Sequence, residues 1–176
     1  MATGLLEGSS KRFFVNTSEA SIMVDFDKIK LMVEENSDEC FAGSGASLEI
    51  IKEFEKAMGV SYPQSYVEFL RIFGTLIFVG EEFYGITPKG LNSKSAPCVF
   101  FITKKLQSRG DASHNMVVVG VSGDGSSFCI DYDVEGDDGE PAIVEVGLDY
   151  KRTKNKKLIA NSFGEFLETK MKEALD

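Results

Sequence analysis

A chain of 176 residues, 43% hydrophobic and 27% charged, suits a single globular domain with a buried core. Its formal net charge of −9 argues against a nucleic-acid-binding protein, which needs a basic face for phosphates, and against docking on anionic membranes. With 14 Phe and no Trp, the core must rest on Phe, Leu, Ile and Val.

Residues 1–21 read as a polar lead-in, or as a remnant of expression, ahead of a domain over residues 22–176. Leu5-Leu6 is cut off by Glu7, so no apolar stretch of signal-peptide length forms, and Met23 offers an alternative start. No later stretch approaches the roughly 20 apolar residues of a membrane span. "MVDFDKIKLMVEEN" then spaces Phe26, Ile29, Met32 and Val33 on one helical face, with Asp25 placed to cap it. "FAGSGAS" reads as a flexible break. Ser47 caps a second helix that carries Leu48, Ile51, Phe54 and Met58, and Gly59 ends it. A third helix follows, with Pro63 in its first turn, an apolar stripe of Tyr66, Phe69, Leu70 and Phe73, and Gly74 as its stop.

After Gly74 the pattern changes. "TLIFVG" reads as a buried strand, "EEFYGITP" as a turn and short strand, and "APCVFFITKKLQSRG" as a helix from about Pro97. Met116 to Val121 and Ser127 to Tyr132 flank Gly123-Asp124-Gly125 as a hairpin. Its second strand is expected to turn Phe128, Ile130 and Tyr132 to one face and Cys129 and Asp131 to the other. "PAIVEVGLDY" is a further strand, and "SFGEFLETKMKEAL", capped by Ser162, closes the chain as a helix. Helices, then antiparallel strands, then a helix give an α+β domain.

Candidate chemistry concentrates in "DYDVEGDDGE", where Asp131, Asp133, Glu135, Asp137, Asp138 and Glu140 place six carboxylates in ten residues. Counted as an EF-hand from Asp131, the loop has oxygen ligands at positions 1, 3, 5 and 7 and glycine at 6. It lacks a ligand at position 9 and the bidentate Glu at 12, where Gly139 and Ala142 stand. The reading that remains is an exposed acidic loop that docks a basic partner, with Glu81, Glu82 and Asp124 joining from neighbouring turns. The alternative is a loop that serves solubility alone.

His114, the only histidine, lies in a polar connector with nothing to orient it as a base. "GVSGDGSSF" joins two strands instead of opening a helix, so it reads as a turn and not as a phosphate cradle. No carboxylate pair and no Trp point to glycoside hydrolysis. Cys40, Cys98 and Cys129 are odd in number and lack C-x-x-C spacing, which suggests neither a disulfide framework nor a zinc site, and a reducing cytoplasm. Neither a metal nor a cofactor is expected. "KRTKNKK", Lys151 to Lys157, reads as a solvated basic loop able to face the acidic one.

Three segments together resemble the SMI1/KNR4 (SUKH) family. "IIKEFEKAMGVSYPQSYVEFLRIFG" carries Gly59, Pro63, Tyr66, Phe69 and Leu70 in the family's spacing. "VVVGVSGDGSSFCIDYD" resembles its strand, glycine turn and strand. "IANSFGEFLETKM" resembles its closing helix through Ala160, Ser162, Phe163, Phe166 and Leu167. The chain departs from the pattern at Phe73-Gly74-Thr75, where members often carry Asn-Gly. The resemblance implies a single SUKH-like domain that binds protein and performs no chemistry. Its bacterial members are mostly immunity proteins that neutralise a secreted polymorphic toxin, often a nuclease. Its fungal members act in cell-wall synthesis and signalling. The expectation is therefore a cytoplasmic, non-enzymatic protein whose acidic face covers the basic groove of a cognate toxin, or else a regulatory scaffold of the same type.

Overall fold

Capping chemistry sets where the helices begin and end. In the computed structural model, which describes residues 24–176, α1 spans Phe26–Glu35. The Asp25 carboxylate accepts from the backbone N–H groups of Asp27 and Lys28 at 3.0 and 3.4 Å. α2 (Leu48–Met58) starts at Ser47, whose hydroxyl accepts from Ile50 N at 3.3 Å. It stops at Gly59 with φ of 69°, a left-handed conformation that glycine adopts without steric cost. α3 (Gln64–Ile72) follows Pro63, which stands at the cap, one place before the expected first turn. The reading of residues 1–21 as a lead-in lies outside the described residues.

Strands β1 (Cys40–Ala42), β2 (Leu76–Phe78) and β3 (Glu81–Phe83) form an antiparallel sheet in that order. β1 overlaps the start of the stretch expected to be a flexible break. Only Cys40 of its three residues is half-buried, so no alternation marks it, and its pairing with β2 across the α2–α3 hairpin creates the strand. β2 buries Leu76 and Phe78 and leaves Ile77 partly exposed opposite Phe41, so it is covered on one face, not two. α4 (Val99–Arg109) is helical as expected and ends at the left-handed Gly110.

The second sheet is antiparallel throughout, in the order β4 (Met116–Val121), β5 (Ser127–Glu135), β6 (Pro141–Val146) and β7 (Lys156–Ala160). Tyr84 N donates to Val119 O at 2.8 Å and joins the two sheets beside β3 and β4. β5 runs three residues beyond its expected end. Every residue from Ser127 to Asp131 is buried, so Cys129 and Asp131 are covered as fully as Phe128 and Ile130.

The basic run divides into two elements instead of one loop. α5 (Tyr150–Thr153) takes its first half, and β7 begins at Lys156. α6 (Phe163–Ala174) closes the chain with Ser162 as its cap. The core is aromatic. Phe163 meets Tyr66 at 4.7 Å and Phe69 at 5.1 Å between ring centroids, and Phe166 meets Phe128 at 5.1 Å. Burying each such ring contributes roughly 2 kcal/mol or more. These contacts bring α3, α6 and β5 together, and their shared end carries the site.

Candidate partner-binding site

The acidic segment is split by its own strand. Asp131 still belongs to the paired part of β5, opposite Met116 and Ala142, and its side chain is wholly buried. A buried carboxylate needs a cation and N–H donors. Lys156 Nζ donates to it at 2.6 Å, and the backbone N–H of Asp133 donates at 3.0 Å. The hydrogen bond to Asp131 is the main cause that lifts Lys156 above the ordinary lysine range. Asp131 therefore leaves the expected docking set, because its charge is spent inside the protein. Among the described residues no group of three His, Cys, Asp or Glu side chains is arranged to hold a metal ion.

Glu140 is the second carboxylate taken inward. It is half-buried, and it accepts from Ser65 N at 2.9 Å and Ser65 Oγ at 2.7 Å, capping the first turn of α3 from across the fold. Pro63 at the cap has no side-chain oxygen to do this itself. Ser65 Oγ in turn accepts from Gly164 N at 3.1 Å, the first turn of α6. One serine thus ties the acidic loop to two helix N-termini, whose partial positive charge suits the carboxylate. Nothing in the sequence singled out Ser65. The missing signal was its distant partner.

Between β5 and β6 the chain leaves the sheet in a short 3₁₀ turn, Asp137–Gly139. Asp137 N donates to Asn161 O at 2.9 Å, and a Cβ on Gly136 would lie 1.9 Å from that same oxygen. The loop is therefore held against the end of β7, and only glycine permits the approach. Asp133, Glu135, Asp137 and Asp138 are exposed. Asp133 accepts from Asn115 Nδ2 at 3.0 and 3.2 Å. The other three make no ion pair among the described residues.

The loop forms one wall of a groove of about 590 Å³. Its apolar lining comes from Phe26, Tyr62, Pro63, Tyr132 and Pro141, and Tyr132 Oη donates to Ser61 O at 2.7 Å. Its acidic lining is Glu68, Asp137, Asp138, Glu140, Glu165 and Glu168, and no basic residue lines it among the described residues. Glu165 accepts from Asn161 N at 2.8 Å. Glu168 is paired with Lys172 and Lys28, each at 2.8 Å, and these bonds lower its pKa. The groove keeps a negative surplus over an aromatic floor. Glu68, Glu165 and Glu168 were not singled out in the sequence, because they lie on helices remote from the acidic run.

The three weaker candidates do not join this groove. Asp124 caps its own hairpin turn, accepting from Ser122 Oγ and from Ser126 N. Those bonds, the serine hydroxyl first, hold its carboxyl at about 2. Glu81 and Glu82 are half-buried on β3 and line no part of the groove. His114 is exposed.

Residues 48–167 match the model of the SUKH_6 family, described as SMI1-KNR4 cell-wall. No curated protein matches the chain.

Proposed function

The chain belongs to the SMI1-KNR4 (SUKH) family, and from that premise we propose that it is a non-enzymatic immunity protein that binds and neutralises a cognate toxin. The observation that carries the reading is the groove beside the 3₁₀ turn, aromatic at its floor and lined, among the described residues, by carboxylates without a base. An aromatic floor supplies contact area, and the exposed carboxylates of Asp137 and Asp138 attract a basic partner and speed its capture. The partner that fits is the basic domain of a secreted toxin, a nuclease for instance, whose substrate groove is itself positive. The protein blocks that groove by covering it, in the cytoplasm of the producing cell. No helix of the described residues is long and apolar enough to cross a membrane.

A capture experiment from the native cell, with the protein as bait at low and moderate salt, tests this. Recovery of the C-terminal domain of a large secreted protein, weakened by salt, supports it. The family description names the cell wall, and recovery of cell-wall or signalling proteins alone would transfer the function to a regulatory scaffold.

A further inference from the structure

Lys151, Arg152, Lys154 and Lys157 are exposed and make no ion pair among the described residues. They stand at the opposite end of β7 from the acidic turn. α5 and Lys154 lead into the start of β7, whereas Asp137 N is bonded to Asn161 O, directly after its end. A strand of five residues keeps the two charges about 17 Å apart. β7 is thus basic where it begins and acidic where it stops.

It is also the open edge of its sheet. β4, at the other end of the strand order, is joined to the first sheet by the bond from Tyr84 N to Val119 O. No strand lies beyond β7 among the described residues, so the outward N–H and C=O groups of its edge have no ladder partner there. Leu158, the middle residue of the strand, is 57% exposed. Lysines on an edge strand ordinarily discourage pairing. Here they discourage only a parallel partner, which would set base against base. An antiparallel copy of the same strand sets the basic start of each against the acidic end of the other.

We propose that the chain forms a two-fold dimer in which β7 pairs antiparallel with β7 of a second copy, centred on Leu158. The two Leu158 side chains then stand opposite each other at the axis. Asn155 of one copy lies opposite Asn161 of the other, beside its acidic turn. Each such contact occurs twice, as an isologous interface requires. A short edge alone falls below the roughly 1,200 Å² of a standard interface, so the expected dissociation constant is on the order of 10 µM. In the dimer, Asp137 and Asp138 face the bases of the second copy. Self-association and capture of a basic partner then exclude each other, and that consequence alone rests on the proposed function.

Sedimentation velocity of the full-length chain, up to about 200 µM, tests the pairing against that expected constant. Lys151→Glu/Arg152→Glu/Lys154→Glu and, in a separate chain, Asp137→Lys/Asp138→Lys should each weaken dimerisation about tenfold. Net charge alone predicts the reverse for the second chain, which is less negative than wild type. An equimolar mixture of the two variants should restore the dimer, because each supplies the sign that the other lacks. Leu158→Lys, which sets two like charges at the axis, should give a monomer. Every substituted side chain is exposed, and thermal unfolding verifies the fold of each variant before the comparison. A wild-type chain that stays monomeric at the highest concentration overturns the proposal and leaves the edge to an acidic segment of another protein. A dimer that survives Leu158→Lys, or a mixture that stays monomeric, overturns β7 pairing as its basis. No toxin enters the measurement, so failure here is separable from failure of the capture experiment.

Discussion

Asp131 shows how far one residue's position can change its meaning. Within "DYDVEG" it looks like its neighbours, yet it is wholly buried and held by Lys156 at 2.6 Å. Replacing Lys156 with Met should leave that carboxylate without its cation. We expect a loss of about 2–3 kcal/mol, at the low end of buried-pair losses because Lys156 is partly exposed. Urea denaturation measures it, and Asp131→Asn in the same chain should recover part of the loss. Asp124 answers to pH instead. Its folded pKa is about 2, below the ordinary value of 3.8. Its contribution is thus present above pH 3.8 and lost as pH falls toward 2. A carboxyl titration followed by NMR should show a midpoint near 2 in wild type and a higher one in Ser122→Ala, still below the ordinary value because the bond from Ser126 N remains.

At the scale of elements, the fold depends on a few backbone approaches between helix and strand ends. α3 has proline at its cap and draws its capping oxygen from Glu140, 75 residues away in the chain. Glu140→Ala should cost about 1 kcal/mol, the usual value of a lost cap, read as a lower midpoint in thermal unfolding. Gly136→Ala should cost more, about 2–3 kcal/mol. Its Cβ would press on the Asn161 carbonyl, a backbone atom that β7 and α6 hold in place. If the alanine variant unfolds at the wild-type urea concentration, the loop is not packed against β7 as described.

For the molecule as a whole, net charge and charge placement must be kept apart. The chain is acidic overall, but Asp131, Glu140, Glu165 and Glu168 are engaged by Lys156, Ser65, Asn161 and the lysine pair. Of the loop's carboxylates, Glu135, Asp137 and Asp138 keep exposed side chains with no ion pair among the described residues, and Asp137 and Asp138 line the groove. Reversing these three to Lys should weaken partner binding and flatten its salt dependence, with the melting temperature unchanged. Asp131→Asn should do the opposite, lowering the melting temperature and leaving affinity intact. Isothermal titration at two salt concentrations, paired with thermal unfolding, distinguishes the two.

The sequence by itself determined α1, α2, α3, α4 and α6, because their information is local, but not the short α5. Asp25, Ser47, Gly59, Gly110 and Ser162 act within one turn of the residues they cap. It also determined the β4–β5 hairpin, the α+β class and the family resemblance, all carried by short-range patterns. Only the tertiary structure decided β1 and β7, since Phe41 and Leu158 are exposed and a weakly buried edge strand shows no alternation until a distant partner is placed beside it. It likewise decided which acids are available. Whether a carboxylate faces water or a lysine depends on what covers its strand, and the covering residues come from elsewhere in the chain.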